Sequence, residues 1–389
     1  MSALMPTYAP SDLAFEKGKG VYLYTDDGRR YLDFCAGIAV SALGHAHPHM
    51  VQALKDQADK VWHVSNLYRS PSQERLAERY VAASFADRVF FCNSGAEAIE
   101  AAIKIARKYQ SDNGHTERYR VLGCENAFHG RTLATIAAAG QAKLLAGFEP
   151  AIDGFDQVAH GNLNEMRAAI TAQTAAILVE PVQGEGGLRP APEGYLQGLR
   201  DIADEFGVLL MFDEVQCGMG RSGKLFAHEW DGVKPDVVST AKGIGGGFPL
   251  GACLTTEAAG VLGVGNHGTT YGGNPLAMAV GNAVFDVLME DGFLDHVTAM
   301  GAALDQALQG LVAKHPSVFI ETRGLGLMRG IKLVESIVNR DFKAELEAEG
   351  LLVAPAGDNI IRLLPPLIIE PCHVVEAITI FDTVAARHV

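Results

Sequence analysis

Val237-Val-Ser-Thr-Ala-Lys242 runs directly into Gly243-Ile-Gly-Gly-Gly247. A short apolar run of this kind reads as a buried strand, and here it delivers one lysine into a glycine-rich loop. Loss of solvation at such a place disfavours the ammonium and pushes its pKa down. The neutral amine is then a nucleophile that forms Schiff bases with carbonyl compounds, and the glycines let a ligand approach the backbone closely. Taken alone, the lysine reads more simply as a side chain reaching for water.

Outward from Lys242 the chain alternates. Strand-like runs over Arg88–Cys92, Arg120–Cys124, Ala175–Glu180, Val208–Asp213, Asp236–Ala241 and Gly251–Thr255 are separated by helical stretches, notably Ala96–Tyr109 and Glu193–Phe206. This βαβ rhythm with near-continuous apolar strands predicts an α/β fold whose mostly parallel central sheet carries helices on both faces. Ligands of such sheets bind at the carboxyl ends of the strands. Ahead of the sheet, Gly20–Thr25 and Arg30–Phe34 flank Asp26-Asp27-Gly28, a hairpin signal, and residues 50–60 and 72–83 have helical spacing. After Asn274-Pro275, helical patterns over residues 276–289 and 295–312 lead into short strands near 318–322, 327–333, 351–353 and 360–364, with helices near 341–349 and 372–386. The expected organisation is a large domain over 49–292, a smaller C-terminal α+β domain over 293–389, and an N-terminal segment over 1–48 that belongs with the small domain.

Composition narrows the function. The 389 residues are 48% hydrophobic and 20% charged, an ordinary globular balance, and 32 basic against 46 acidic residues leave a net charge of −14. With no basic run, that field argues against nucleic acid as a partner. The six cysteines are scattered, without a C-x-x-C pair, which points to reduced thiols and a cytoplasmic location. The first residues show no basic-then-apolar leader, and no apolar run reaches membrane-spanning length. His45, His47 and His49 lack the i, i+4 spacing and the companion carboxylates of a metal site, so they read as a helix-start loop and no metal is expected.

Chemistry-bearing residues cluster at the strand ends. Asn93-Ser94-Gly95-Ala96-Glu97 closes one strand and opens a helix, which suits either an anion site or an ordinary N-cap. Phe128-His129-Gly130-Arg131 places an aromatic plane and a guanidinium three residues apart: a ring to cover a flat ligand and a fork for a carboxylate, or a core phenylalanine beside a surface arginine. Asp213 follows a buried strand and is costly there unless something positive meets it; the protonated nitrogen of a pyridine ring would serve, as would a salt bridge. Gly218-Met-Gly220-Arg-Ser-Gly223 fits the dinucleotide-binding glycine pattern by letter, but residues intervene after the strand and no helix opens at Gly223. An anion cradle, a stacking ring, a strand-end carboxylate and a strand-end lysine together describe an aromatic aldehyde with a pyridine nitrogen and a phosphate, which is pyridoxal 5'-phosphate.

The same motifs, in this order, resemble the class III (subgroup II) pyridoxal-phosphate aminotransferases of fold type I. The likeness runs nearly end to end, through Gly37-Ile-Ala-Val-Ser-Ala-Leu-Gly-His45, Asn93-Ser-Gly-Ala-Glu97, Phe128-His-Gly-Arg-Thr132, Glu180-Pro-Val-Gln-Gly-Glu-Gly-Gly187, Phe212-Asp-Glu-Val-Gln-Cys-Gly-Met-Gly-Arg221, Lys242-Gly243 and His267-Gly-Thr-Thr-Tyr-Gly-Gly-Asn-Pro275. The resemblance implies that Lys242 bonds to the cofactor's aldehyde carbon and shuttles the proton in the 1,3-shift. It implies that Asp213 pairs with the ring nitrogen, Gln216 with the ring hydroxyl, Phe128 stacks on the ring, and Ser94, Gly95 and Ala96 hold the phosphate, with Glu214 and Val215 in the same cofactor-binding set. Thr270 would reach the cofactor phosphate of a neighbouring subunit, so a homodimer with shared sites is expected.

For substrates the resemblance implies Arg131 and Thr269 at a carboxylate, with threonine where many relatives have serine. It also implies that Arg362 takes the α-carboxylate of glutamate while Glu185 pairs with Arg362 when another substrate is present. The expected reaction carries the δ-amino group of an acyl-ornithine, N2-acetyl-L-ornithine first, to 2-oxoglutarate, a step of arginine biosynthesis. Succinylornithine, N-succinyl-diaminopimelate, ornithine and 4-aminobutyrate are handled by relatives with the same core, and fold alone does not separate them. A nicotinamide-dependent oxidoreductase and a non-catalytic binding protein are the rivals from other classes; the presence of both Lys242 and Asp213 speaks against the second.

Overall fold

The computed structural model describes residues 3–388; Met1, Ser2 and Val389, the outermost residues of the expected terminal segments, lie outside the described residues. At its centre is a seven-stranded sheet in the order Arg88–Cys92, Gly251–Thr255, Val237–Thr240, Leu209–Asp213, Thr174–Val179, Arg120–Cys124, Phe155–Val158. All neighbours pair parallel except Gly251–Thr255, which runs antiparallel to both of its partners.

Period-two alternation explains why these strands read as nearly continuous apolar runs. Ala176, Leu178, Leu209 and Met211 pack on one face against Ile99, Ala102 and Ile103 of the helix Gly95–Asp112. Ile177, Val179, Leu210 and Phe212 point to the other face, toward Leu199 and Ile202 of the helix Tyr195–Phe206 and Met278 and Val284 of the helix Pro275–Leu288. Both faces are therefore covered, and each fully buried side chain of this size stabilises the fold by about 1.5–3 kcal/mol. Asn274 starts the last of these helices with its Oδ1 accepting the Ala277 N–H at 2.9 Å and Pro275 in the first turn.

Three smaller sheets accompany the large one, one of them only the antiparallel pair Val182–Gln183/Arg189–Pro190. The N-terminal hairpin Tyr22–Thr25/Arg30–Asp33 forms as expected, with Phe15–Lys19 added antiparallel, and Leu351–Leu352 pairs parallel with its last strand. Phe319–Leu325, Met328–Leu333, Ile360–Leu363 and Ala354–Ala356 form the second, packed under the helices Phe293–Lys314 and Pro371–Ala385. The single strand expected near 351–353 is thus two, serving different sheets. Pro48–Ala58 begins one residue after His47, and the alternate histidines are dispersed: His45 Nε2 lies 2.7 Å from Asp33 Oδ2, whereas His49 Nε2 lies 2.8 Å from Asp286 Oδ2. The Gly218–Gly223 run forms buried turns, with Arg221 donating to the carbonyls of Leu327 and Pro365. No helix of the described residues is long and apolar enough to cross a membrane.

Candidate active site

The carboxyl ends of Arg88–Cys92, Arg120–Cys124, Thr174–Val179, Leu209–Asp213 and Val237–Thr240 converge on a cavity of about 320 Å³. Its walls bring together Ser94, Gly95, Ala96, Phe128, Asp213, Val215, Gln216 and Lys242, which lie far apart in sequence.

One wall is a helix start. Ser94 Oγ accepts the Glu97 N–H at 3.3 Å while the Glu97 carboxylate accepts the Asn93 N–H at 2.5 Å, a reciprocal cap that fixes the first turn. The N–H groups of Gly95 and Ala96 have no intrahelical acceptor by geometry, and the helix dipole makes this wall positive. A Cβ at Gly95 would lie 2.7 Å from Val215 Cγ1, so a side chain there would fill the cradle.

The opposite wall is acidic and buried. Asp213, 3% exposed, accepts the Val215 N–H at 2.9 Å on Oδ1 and lies 2.7 Å from His129 Nδ1 through Oδ2. Burial pulls the His129 pKa down, but the bond to Asp213, its charge and that of Glu180 prevail, and the net shift is upward. His129 Nε2 is buried without a partner among the described residues. Glu180 closes this wall. Burial raises its pKa, the His129 charge opposes that and Asp213 adds to it, and the N–H groups of Phe128 (3.0 Å) and Gly184 (3.4 Å) lower it; the outcome is about 7.

Lys242 rises between them with φ of +52°, a left-handed conformation that costs a non-glycine residue energy and is found where a site holds it. Burial depresses its pKa, Arg362 depresses it further, and Asp213, Glu185 and Glu180 partly restore it. Its ammonium makes no ion pair among the described residues. Beside the cavity, Arg362 is 1% exposed; its Nη1 is 2.7 Å from Glu185 Oε1 and 3.1 Å from Gln216 Oε1, while its Nε has no partner among the described residues.

Several expected residues stand elsewhere. The Glu214 side chain does not line the cavity: its carboxylate accepts the N–H groups of Ala227 (2.6 Å) and His228 (2.9 Å) and lies 2.7 Å from His228 Nδ1, capping a short helical turn. A carboxylate with all these partners is already satisfied where it stands. Arg131 is exposed, its guanidinium 5.6 Å from the centre of the Phe128 ring. Thr269 and Thr270 line a separate cleft with Asn93, Glu97 and Tyr271, and Thr269 Oγ1 accepts the Gly272 N–H at 3.1 Å. Sequence reasoning passed over His129 and Glu180, although Glu180 carries the signal used for Asp213, a carboxylate directly after a buried strand.

Comparison with known proteins gives a uniform result. The model of the aminotransferase class-III family matches residues 5–385. The acetylornithine aminotransferase of Brucella melitensis is 57% identical over 385 residues, covering 99% of this chain and 95% of that protein. That of Agrobacterium fabrum is 58% identical over 366 residues, covering 94% and 91%. Among solved structures, N-acetylornithine aminotransferase from Stenotrophomonas maltophilia superposes with a TM-score of 0.85 at 36% identity, covering 97% of this chain and 96% of that one. Ornithine aminotransferase from Toxoplasma gondii gives 0.94 at 30%, covering 99% and 93%.

Proposed function

The chain belongs to the class-III aminotransferase family, and from that premise we propose that it moves the δ-amino group of N2-acetyl-L-ornithine to 2-oxoglutarate, yielding N-acetyl-L-glutamate 5-semialdehyde and L-glutamate. Its cofactor is pyridoxal 5'-phosphate. The cavity fits that group: an open helix start for a phosphate, an aromatic side chain for a ring, a buried carboxylate for a pyridinium and an unpaired lysine for an aldehyde. When bound, pyridoxal phosphate supplies an electron sink for the charge left when a proton leaves the carbon bearing the substrate amine.

In this reading the protein's residues divide the work. Ser94, Gly95 and Ala96 bind the phosphate through the helix start, and Phe128 and Val215 flank the ring. Asp213 keeps the ring nitrogen protonated, and the His129 imidazole orients Asp213 through the bond to Oδ2. Lys242 Nζ, its pKa depressed by burial, takes the proton from the substrate carbon and returns it one position further on. Gln216 holds the ring hydroxyl and shares its Oε1 with Arg362.

The single observation that carries the substrate assignment is the Arg362–Glu185 pair. With Glu185 on Arg362 that guanidinium is neutralised, which suits a terminal amine; with Glu185 displaced, Arg362 takes the α-carboxylate of glutamate. One site then serves both half-reactions, and Arg131, exposed beside Phe128, holds the remaining carboxylate. The names of the relatives support N2-acetyl-L-ornithine as the donor. Half-reaction kinetics with N2-acetyl-L-ornithine, N2-succinyl-L-ornithine, L-ornithine and 4-aminobutyrate test this: kcat/KM is expected to be highest for the acetyl compound, and a higher value for any of the others overturns the assignment.

The same reading includes a cytoplasmic homodimer. Trp62, Leu67, Tyr68 and Tyr271 are 62%, 86%, 70% and 64% exposed, and Asn66 Nδ2 ties this segment to the carbonyls of Thr269 (3.1 Å) and Gly272 (3.0 Å). That apolar surface beside Thr270 supports a subunit contact that carries Thr270 to the partner's cofactor. A division into a large domain over 49–292 and a small one over 293–389 joined by 1–48 is supported by the pairing of Leu351–Leu352 with Arg30–Asp33.

A further inference from the structure

Glu185 sits in a turn that is tied at both ends to a second, strained turn outside the cavity. Asp358 and Asn359 have φ of +56° and +55°, a left-handed pair. Immediately before them, the Gly357 N–H donates to the Glu185 carbonyl at 2.9 Å. Asp358 then gathers three cations from three strands: Arg323 Nη1 at 2.7 Å, Lys332 Nζ at 2.9 Å and Arg189 Nη2 at 3.1 Å. Arg189 ends the very turn that carries Glu185, and Arg323 Nη1 also reaches the Gly187 carbonyl at 3.5 Å. On its far side the strained turn is fixed to the small sheet, where Asn359 Nδ2 donates to the carbonyls of Val334 (3.0 Å) and Ile337 (2.8 Å).

We propose that the Gly357–Asn359 turn is the positioning element of the Glu185–Arg362 pair, Asp358 being the residue that sets how readily Glu185 leaves Arg362 and so the balance between α-carboxylate substrates and terminal amines. The inference rests on the gate reading above and extends it to residues that touch neither substrate nor cofactor. Its physical basis is restraint. Opening the gate requires the Glu185 turn to give, and that turn is held at its carbonyl by Gly357 and at its end by the Asp358 clamp. The clamp is partly withdrawn from solvent, with Arg323 19%, Lys332 23% and Asp358 27% exposed, so it is screened less than an isolated surface pair. Burial pushes the Asp358 carboxyl up, but the bonds from Lys332, Arg323 and Arg189 outweigh it and hold the pKa at about 2, so the clamp is charged throughout the working pH range.

Gly357 offers a test that leaves every charge in place. A Cβ there would lie 2.8 Å from the Glu185 carbonyl, and no positive φ strains the substitution, so Gly357→Ala presses on the contact between the two turns. Single-turnover half-reactions of the full-length holoenzyme are measured with L-glutamate and with N2-acetyl-L-ornithine for wild type, Gly357→Ala, Asp358→Asn and Glu185→Ala. Gly357→Ala and Asp358→Asn are both expected to raise the glutamate-to-acetylornithine ratio of kcat/KM by about fivefold, carried by KM with kcat nearly unchanged, the size of coupling usual between residues in one network. General destabilisation would lower both half-reactions together and leave the ratio alone. If Glu185→Ala shifts the ratio but Gly357→Ala does not, the inference is overturned and the gate stands, even if Asp358→Asn acts, because its effect is then one of charge. If Glu185→Ala itself leaves the ratio unchanged, the gate reading fails and the inference fails with it.

Discussion

Replacing Glu185 with alanine removes the acid that competes with a substrate for Arg362. The two groups lie 2.7 Å apart, Arg362 with its side chain 2% exposed and Glu185 with 30%. Unit charges about 4 Å apart attract by about 4 kcal/mol at an effective dielectric constant of about 20. Solvent on the Glu185 side screens part of this, and a net value of about 1.5–3 kcal/mol suits a charged hydrogen bond. Glutamate must overcome that amount before its α-carboxylate can occupy the guanidinium. Without Glu185 the term vanishes, and kcat/KM for glutamate is expected to rise by about 10- to 100-fold. Acetylornithine moves the opposite way. It then meets a buried guanidinium whose remaining side-chain partner is Gln216 Oε1, and its kcat/KM is expected to fall by about tenfold. Half-reactions read by the absorbance of the bound cofactor give both numbers from one preparation. A glutamate-to-acetylornithine ratio within about twofold of wild type would refute the reasoning, because the pair would then be structural.

Three other outcomes follow from the geometry. Glu180 keeps a proton in the folded protein up to about pH 7, against an ordinary value of 4.5, so the folded state binds more protons than the unfolded chain between those limits. Stability therefore falls as pH rises through that window, by about 3 kcal/mol, and the urea midpoint of Glu180→Gln is expected to fall less than wild type over the same interval; parallel curves would contradict this. Asp213→Asn removes the charge that raises the His129 pKa, and kcat is expected to fall by about 100-fold or more while the protein still folds, with kcat and circular dichroism as the checks. Gly130→Ala places a Cβ 2.8 Å from the Ala96 Cβ at a residue with φ of +129°, pushing on the helix start; cofactor affinity measured by titration of the stripped protein is expected to drop about tenfold or more.

Much of this architecture is legible in the sequence because buried strands leave little choice of residue. Arg88–Cys92, Arg120–Cys124 and Gly251–Thr255 have the bounds their apolar runs predict. Phe155–Val158 was not legible: it is an edge strand of four residues, two of them polar, and Asp156 is there to meet Arg120 at 2.7 Å. The antiparallel course of Gly251–Thr255 was equally hidden, since direction is set by the connection and leaves no mark on the residues themselves. At the site, single residues carried more than patterns did. Asp213 was marked by the cost of a buried carboxylate, and Glu180, directly after the six buried residues of its own strand, carries the same mark. Glu214 shows the limit of adjacency: it follows Asp213 directly, yet its side chain points to His228 because successive residues leave a strand on opposite sides.

The central claim is that the cavity at Lys242 holds pyridoxal phosphate through that lysine. Borohydride reduction of the holoenzyme, followed by proteolysis and mass spectrometry, measures this at one residue. The account predicts that the reduced cofactor is found covalently on Lys242 alone; recovery of the cofactor on another lysine, or a reduced protein carrying none, would contradict it.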